Sequence, residues 1–253
     1  MAKVLKPNIG TNRILAVLLC YNTDKGTRDV LGRFPLSGDR GYDVVVVNDG
    51  STDYTAKYIS EYADRFNFNV ISHERNIGVG RTIKSGIRCG MDNGYKSVVI
   101  LAGNGKDDPK QIPRFISTIE GEEYDYVQGS RFLSGGRWDN LPLFRYVMVK
   151  VHAFLFTILT GRKCTDALNG FRAYKLSIFK DPRINIWQDW LDRYEFETYL
   201  HYKVLRCGYK FKEVAVSKIY PREKNVKYSH IRPIIDWWSI MKPLLYLILG
   251  LRR

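Results

Sequence analysis

The sequence predicts an α/β fold in which helices cover both faces of a mostly parallel β-sheet. Short β-branched runs alternate with helical patterns along the first half of the 253-residue chain, and 45% of all residues are hydrophobic, enough for one large core. The four consecutive valines Val44 to Val47 are typical of a strand buried on both faces, as in parallel sheets. Ligands of such folds bind at the carboxyl ends of the strands.

Strands and helices are expected in alternation. Apolar or β-branched runs predict strands at 14–20, 43–47, 69–72, 97–101, 125–128 and, after a gap, 211–218. Apolar residues at helical spacing predict helices at 53–64, 80–91, 109–120, 141–160 and 190–206. Pro109 suits the first turn of the third helix.

The end of the chain is apolar, aromatic and basic. We expect a catalytic domain over residues 1–229 and an amphipathic helix over residues 230–253. Leu244–Leu251 is too short to span a bilayer, but Trp237 and Trp238 with basic flanks suit a helix on a membrane surface. A helix docked on the core or on another protomer is the alternative. The absence of ~18–20 consecutive apolar residues argues against a polytopic membrane protein.

Charge and cysteine content restrict the partners and the compartment. Forty Lys+Arg against 26 Asp+Glu give a net charge of +14, which attracts nucleotides, nucleic acid or anionic lipid without choosing among them. The four cysteines are far apart and form no C-x-x-C pair. They predict free thiols in a reducing cytosol and no zinc site.

Polar residues follow the predicted strands where ligands are expected. Asn48-Asp-Gly-Ser-Thr-Asp53 contains an acid, Asp49, that a plain strand–turn–helix junction does not require. Arg75-Asn-Ile-Gly-Val-Gly80 is a G-x-G turn that is a weak signal alone, because it lacks a third glycine. The strand at 97–101 leads into the polar loop Ala102-Gly-Asn-Gly-Lys-Asp-Asp-Pro109.

In this order, these motifs resemble glycosyltransferase family 2, and in particular the dolichyl- and polyprenyl-phosphate sugar synthases. The likeness continues through Gln128-Gly-Ser-Arg-Phe132, Asp166-Ala-Leu-Asn-Gly-Phe-Arg172 and Glu195-Phe-Glu197, and covers residues 14–220. It implies a GT-A fold, a UDP- or GDP-sugar donor and inverting transfer. The acceptor it implies is a polyprenyl phosphate or a surface glycan.

The resemblance also implies roles for individual residues. The nucleotide-sugar site would be built from Tyr21, Asn22, Asp49, Asn76, Gly78, Gly80, Asn104, Arg131 and Arg172. Of these, the two arginines would meet phosphate, for which a guanidinium fork is well shaped. Arg222 and Lys227 would contact the acceptor phosphate, although a flexible basic loop explains them equally well.

The sequence departs from the family pattern at the metal site. Members usually carry D-x-D in the fourth loop, where it holds Mg²⁺ or Mn²⁺, but Ala102-Gly-Asn104 stands here. Hard cations favour anionic oxygen ligands, so metal binding should be poor, and Lys106 is a candidate to neutralise the diphosphate instead. Two alternatives stay open: Asp107 and Asp108 recruit a metal from a shifted position, or catalysis has been lost.

The general base is a choice between Glu195 and Glu197. Positions two apart on a helix face different sides, so the two carboxylates cannot share one role. The motif position favours Glu197 for a hydroxyl acceptor. A polyprenyl phosphate is already an anion and needs no base.

Two other functions are less well supported by the sequence. A nucleotidyltransferase has a similar core but opens with a glycine-rich loop, which Cys20-Tyr-Asn-Thr-Asp-Lys-Gly26 does not match. A nucleic-acid-binding module would explain the charge, but no helix-turn-helix, zinc or RNA-recognition signature is present. We therefore expect an enzyme peripheral to the cytoplasmic face of a membrane, without a nucleic-acid partner. Homo-oligomerisation stays open.

Overall fold

A computed structural model of the chain describes residues 14–122, 124–220 and 235–251. Their strands are β1 (Ile14–Cys20), β2 (Asp43–Asn48), β3 (Asn69–Ser72), β4 (Ser97–Ala102), β5 (Tyr126–Ser130), β6 (Arg137–Asp139), β7 (Arg172–Lys175), β8 (Phe211–Ala215) and β9 (Ser217–Ile219). Seven of these strands form a central sheet in the order β3-β2-β1-β4-β7-β5-β8, and β6 pairs with β9. Among the described strands of the central sheet, only β7 is antiparallel to its neighbours, so the predicted mostly parallel sheet is confirmed.

Helices surround the sheet. They are α1 (Asp24–Gly32), α2 (Thr55–Phe66), α3 (Val79–Asp92), α4 (Ile112–Ile116), α5 (Leu143–Thr160), α6 (Glu195–Arg206) and α7 (Ile235–Ile248). The bounds of α2, α3 and α5 lie within two residues of those expected from the sequence. Helix α1 and strands β6 and β7 were not predicted from the sequence.

The core has a layer on each face of the sheet. In β1, Leu15 and Val17 belong to one hydrophobic cluster, whereas Ile14, Ala16 and Leu18 belong to the other. Successive strand residues point to opposite faces, so a strand covered on both sides must be apolar throughout. This is the physical reason for the uninterrupted apolar runs in β1, β2 and β4.

Two expected elements are divided in the structure, and a third is shortened. The helix expected over 109–120 consists of a 3₁₀ turn, the short α4 and a wider turn over Ser117–Gly121. Pro113 lies in the first turn of α4. Proline has no backbone N–H, so a helix that continued through this position would lack one of its hydrogen bonds. The strand expected over 211–218 splits into β8 and β9 at Val216, whose N–H bonds to Ser130 while its carbonyl accepts from Arg137. The helix expected from residue 190 begins at Glu195.

Helices α5 and α7 are the most apolar. In the described part of the chain, α5 is one helix of 18 residues whose length and composition would allow it to cross a membrane, and 28% of it is buried. The sequence reading missed this because Arg145 and Lys150 interrupt the apolar run. The expected C-terminal helix is α7, which docks on α6 through the Lys242–Glu195 ion pair of 2.5 Å. The expected boundary between residues 229 and 230 lies outside the described residues.

Candidate active site

A cavity of about 160 Å³ opens where the strands of the central sheet end. Its walls come from the loop after β4, the chain after β5 and β9, and helices α5, α6 and α7. The charged side chains of this lining are Lys106, Arg131, Arg145, Lys218 and Glu197. The charged side chains of the described wall are therefore mainly cationic, and the cavity lies at the sheet edge where open α/β folds bind ligands.

The loop after β4 is fixed to β1 and α1. Gly103 donates its N–H to the Leu19 carbonyl at 2.7 Å, and its own carbonyl accepts from Thr27 Oγ1 at 2.9 Å. Gly105 turns the chain at φ +84°, a conformation that glycine adopts without strain. These restraints bring the Lys106 side chain into the cavity wall, where it is only 8% exposed.

Three cations surround the ring of Tyr220. Lys106 Nζ lies 5.1 Å from the ring centre, and the guanidinium carbon of Arg145 lies 5.9 Å from it. Arg131 Nη1 donates to the Tyr220 hydroxyl at 2.8 Å. The pKa of Lys106 is lowered well below its ordinary value, because burial and then the positive charges of Lys218 and Arg145 disfavour the ammonium.

The acids of the same loop already have partners. Buried Asp107 accepts from Lys218 Nζ at 2.6 Å and from the Ala102 N–H at 3.1 Å. Asp108 caps the following 3₁₀ turn by accepting from the Lys110 N–H at 3.1 Å. Asn104 Oδ1 faces the Lys106 N–H at 3.4 Å.

A divalent cation fits these donors poorly. Neither Ala102 nor Gly103 offers a side-chain oxygen, and both carboxylate oxygens of Asp107 and Oδ1 of Asp108 accept the hydrogen bonds described above. Across residues 14–122, 124–220 and 235–251, no three His, Cys, Asp or Glu side chains are grouped to hold a metal. Mg²⁺ in nucleotide sites is commonly held by one or two carboxylates together with substrate phosphates, so the expected weak metal binding stays a prediction.

The two arginines expected to meet phosphate differ in their surroundings. Arg131 lines the cavity and forms a two-point ion pair with Asp166, with both N···O distances at 2.7 Å. Arg172 is 2% exposed and donates to the carbonyls of Asn169, Ala167 and Glu197. It therefore ties the Asp166–Gly170 turn to α6, and its phosphate contact stays a prediction.

The loop after β2 is organised around Asp49. This carboxylate is 2% exposed and takes four hydrogen bonds, from His73 Nδ1 (2.8 Å), the Ile77 N–H (3.0 Å), Asn76 Nδ2 (2.9 Å) and the Gly78 N–H (3.1 Å). Asp49, Asn76 and Gly78 are thus brought together as predicted from their shared sheet edge. They hold one another, and contact with a nucleoside stays a prediction.

The glycines of the G-x-G turn permit a close backbone approach. A Cβ on Gly80 would lie 2.1 Å from the Leu191 carbonyl oxygen, and one on Gly78 would lie 2.4 Å from that of Asp192. The Arg81 N–H donates to the same Asp192 carbonyl at 3.0 Å. This part of the loop therefore anchors the segment before α6.

Tyr21 and Asn22 follow β1 directly. Asn22 has φ 44°. Its side-chain Oδ1 accepts a hydrogen bond from the Thr52 N–H at 2.8 Å, and its own backbone N–H donates to Ser51 Oγ at 3.1 Å. The loops after β1 and β2 are thereby joined beside half-buried Tyr21. The nucleoside contacts expected of both residues stay predictions.

The two glutamates of α6 face different partners, as their spacing predicts. Glu197 lines the cavity, with Oε1 3.6 Å from Arg172 Nη2 and its side chain 25% exposed. Glu195 points to Lys242 of α7 and does not line this cavity. The geometry gives Glu195 a contact with Lys242, and the catalytic role considered for it stays a prediction.

Several cavity residues were not predicted from the sequence, among them Arg145, Lys218 and Tyr220. The available signal for Arg145 was a cation that interrupts an otherwise apolar helix. The candidates Arg222 and Lys227 lie outside the described residues. Of Asp49, Arg131 and Arg172, expected at the nucleotide-sugar site, and Lys106, expected at the diphosphate, only Lys106 and Arg131 line the cavity.

A larger groove of about 950 Å³ lies near the opposite edge of the sheet. It runs past Ser97 at the amino end of β4, and its lining carries both acids and lysines, including the Lys175–Asp125 ion pair of 3.3 Å. Ligand sites of open α/β sheets lie at the carboxyl ends of the parallel strands. We therefore take the smaller cavity as the candidate active site.

The fold with its carboxyl-edge cavity is that of a GT-A glycosyltransferase. Glucosyl-3-phosphoglycerate synthase of Mycobacterium tuberculosis, solved with Mn²⁺ and UDP, matches at a TM-score of 0.66 and 15% identity over 95% of this chain and 80% of that chain. A sequence model described as Glycosyl transferase family 2 matches residues 17–181. The chain belongs to this family, and it is a glycosyltransferase.

Relatives carry names of lipid-phosphate sugar transferases. An undecaprenyl-phosphate mannosyltransferase of Micrococcus luteus is 26% identical over 206 residues, which cover 81% of this chain and 83% of the relative. A UDP-N-acetylglucosamine–dolichyl-phosphate N-acetylglucosaminyltransferase of Methanococcus voltae is 28% identical over 181 residues, covering 66% and 71%. Family membership thus favours glycosyl transfer over the nucleotidyltransferase and nucleic-acid-binding alternatives.

Proposed function

We propose that the chain transfers a sugar, with inversion, from a UDP- or GDP-sugar to a polyprenyl phosphate at the cytoplasmic surface of a membrane. The observation that carries this proposal is the cationic cavity between α5 and α7, next to the exposed apolar sides of both helices. A polyprenyl phosphate matches both features, since an anionic head is joined to an apolar chain. The two relatives named above act, by their names, on acceptors of this class.

The apolar sides of the two helices form what we call the α5–α7 face. It consists of Leu143, Phe144, Val147, Val151, Phe154 and Ile158 on α5, Leu245 and Ile248 on α7 and Leu249 directly after α7, all exposed. Along α5 these residues recur mostly at intervals of three or four, so they share one side of the helix. The rings of Phe144 and Trp237, 6.2 Å apart, connect the two helices. Such a face beside Arg145 and Lys150 suits the interface of an anionic leaflet.

The cavity offers the charges that the transfer needs. A phosphate oxygen of the acceptor would attack the anomeric carbon as the bond to the nucleoside diphosphate breaks on the opposite side, which inverts the configuration. Lys106, Arg131, Arg145 and Lys218 would stabilise the negative charge that develops on the leaving group. Glu197 supplies the carboxylate that would deprotonate the acceptor if the acceptor were a hydroxyl group.

A transfer assay tests the proposal directly. The protein is incubated with radiolabelled UDP- and GDP-sugars and with polyprenyl phosphate, or with the corresponding polyprenol as the matched acceptor lacking phosphate. We expect label in the lipid fraction with polyprenyl phosphate only. Equal transfer to polyprenol, or no transfer to polyprenyl phosphate from any donor tested, would contradict the proposal.

Glu197→Gln distinguishes the two kinds of acceptor. With a polyprenyl phosphate we expect transfer to stay within a factor of about 10, because the acceptor is already charged, and donor binding to be retained. A loss of about 10²-fold or more with retained donor binding would show that Glu197 acts as a base and that the acceptor is a hydroxyl group. Glu195→Gln is the matched comparison, since its carboxylate contacts Lys242.

Binding to lipid vesicles tests the membrane location. Phe154→Ser combined with Ile158→Ser removes two exposed apolar side chains from the α5–α7 face, and each is worth about 1.5–3 kcal/mol when buried. We expect co-sedimentation with anionic vesicles to fall at least about 10-fold. Leu36→Ser is the control, because Leu36 is exposed on a loop outside this face. Equal binding by both variants would place the membrane contact elsewhere.

A further inference from the structure

We propose that the diphosphate of the donor is held and neutralised by the ammonium group of Lys106, assisted by Arg145 and Lys218, in place of a divalent cation. This inference rests on the proposed function, because it assumes a nucleotide-sugar donor. It would make the enzyme independent of Mg²⁺ and Mn²⁺.

The first argument is the state of the carboxylates near Lys106. Asp107 is completely buried and is engaged by Lys218 Nζ and the Ala102 N–H, so recruiting it to a metal would break a buried ion pair. Breaking such a pair is costly, because the Lys218 charge would be left buried without its carboxylate. Asp108 is not among the residues that line the cavity; it accepts from the Lys110 N–H and lies 3.8 Å from Arg33.

The second argument is the position of Lys106 itself. Its side chain lines the cavity from the loop after β4 and faces Lys218 of β9, Arg145 of α5 and Arg131 after β5, with Asp107 as the neighbouring acid. Asp166 already pairs with Arg131, as Asp107 does with Lys218. The positive charges of Lys218, Arg145 and Arg131 disfavour the ammonium form of Lys106. A diphosphate bound in the cavity would favour it, because its oxygens are negatively charged.

The third argument concerns protons. Burial and the neighbouring cations lower the pKa of Lys106 in the free protein, so its ammonium form is disfavoured. Diphosphate oxygens would favour that form and raise the pKa again. Binding should therefore take up a proton, and diphosphate affinity should fall as the pH rises.

Calorimetric binding of nucleotides tests the inference without turnover. The probes are UDP and GDP, with UMP and GMP as controls that lack the second phosphate, each in chelator and in Mn²⁺. For the wild type we expect diphosphate binding in chelator, with Mn²⁺ changing Kd by less than about 10-fold. A charge-assisted contact is worth about 1.5–3 kcal/mol, so Lys106→Met should weaken diphosphate binding about 10- to 150-fold and leave monophosphate binding unchanged.

The control is Lys110→Met, which makes the same chemical change at an exposed position just beyond the loop. It should bind both nucleotides like the wild type. Diphosphate binding that is lost in chelator, restored by Mn²⁺ and unaffected by Lys106→Met would overturn the inference. Proton uptake, measured in buffers of different ionisation enthalpy, should disappear in Lys106→Met. Uptake that persists in this variant would assign the proton to another group and contradict the assignment.

Failure of this inference can be distinguished from failure of the proposed function. If sugar transfer to polyprenyl phosphate occurs only with Mn²⁺, the proposed function stands and the role of Lys106 is wrong. If no transfer is found but Lys106→Met still weakens diphosphate binding in chelator, the nucleotide contact stands and the proposed acceptor is wrong.

Discussion

Two loops at the same edge of the sheet satisfy their charges in opposite ways. Around Asp49, one buried carboxylate takes four hydrogen bonds from residues 73–78, and the arrangement is complete within the protein. Around Lys106, several cations converge on Tyr220 while the nearby acids are paired with Lys218 and Arg131. The comparison teaches that the Asp49 loop gives the edge its shape, whereas the Lys106 loop lines a cavity with cations, where we propose that an anionic ligand binds.

Removing the Asp49 carboxylate should give the largest loss of stability. Asp49→Ala leaves the His73 ring and the N–H groups of Asn76, Ile77 and Gly78 without their acceptor. We expect the free energy of unfolding to fall by about 3–5 kcal/mol, as when a buried charged group is removed from its partners. Urea denaturation measures this, with exposed Asp64→Ala as the control. A loss below about 1 kcal/mol would mean that the Asp49 loop does not support the fold.

Filling the contact at Gly80 should have the next largest effect. In Gly80→Ala the new methyl group meets the backbone carbonyl oxygens of Leu191 and Arg193, which cannot move as a flexible side chain would. We expect a loss of about 1–3 kcal/mol, measured by urea denaturation. Gly41→Ala is the control, because a Cβ there meets no atom within 4 Å. Equal stability of the two variants would show that the Asp192 segment shifts freely.

Removing the charge of Lys106 should act in the opposite direction. Lys106→Met takes a buried ammonium away from Lys218, Arg145 and Arg131 while keeping an apolar chain of similar length. We expect the ligand-free protein to gain about 0.5–2 kcal/mol in stability, as at other strained functional positions. Thermal unfolding of the ligand-free variant measures the gain. A clear loss of stability would mean that the ammonium is already compensated within the protein.

The advantage of Lys106→Met should shrink as the pH rises. The pKa of Lys106 is lower in the folded protein than in the unfolded chain, where it is about 10.4. Between these two pKa values the unfolded wild type binds more protons than the folded one, so wild-type stability rises with pH, and the variant lacks this contribution. The groups facing Lys106, namely Lys218, Arg145, Arg131 and Asp107, are common to both proteins. Denaturation of the wild type and of Lys106→Met at increasing pH measures the difference between their free energies of unfolding. A difference that widens with pH would contradict a lowered pKa of Lys106 in the folded protein.

The sequence predicted those parts of the fold whose signal is local. The strands β1 to β5 follow from their apolar runs, whereas β7 was missed because Arg172-Ala-Tyr-Lys175 is short and polar. Its burial comes from pairing with β4 and β5, which are distant along the chain. Helix α1 was missed for a related reason, since it follows a polar stretch and is short.

The site was predictable to a similar extent. Lys106 was found because it stands in a loop directly after a buried strand. Arg131 and Arg172 look alike in the sequence, and only tertiary contacts show that one lines the cavity and the other binds carbonyls inside the fold. The approach of Arg145 and Lys106 to Tyr220 likewise depends on how α5, β9 and the β4 loop meet.

The docking of α7 on α6 has a practical consequence. Trp237 and Ile240 of α7 belong to the wall of the cavity, and the same helix with the residue directly after it presents exposed Leu245, Ile248 and Leu249 outward. Deleting the chain from Ile235 onward would remove these exposed apolar side chains and so reduce the tendency to aggregate. It would also admit bulk water to the cations of the cavity, and electrostatic attraction is several-fold weaker in water. Removing α7 should therefore improve solubility and weaken anion binding in the cavity at the same time.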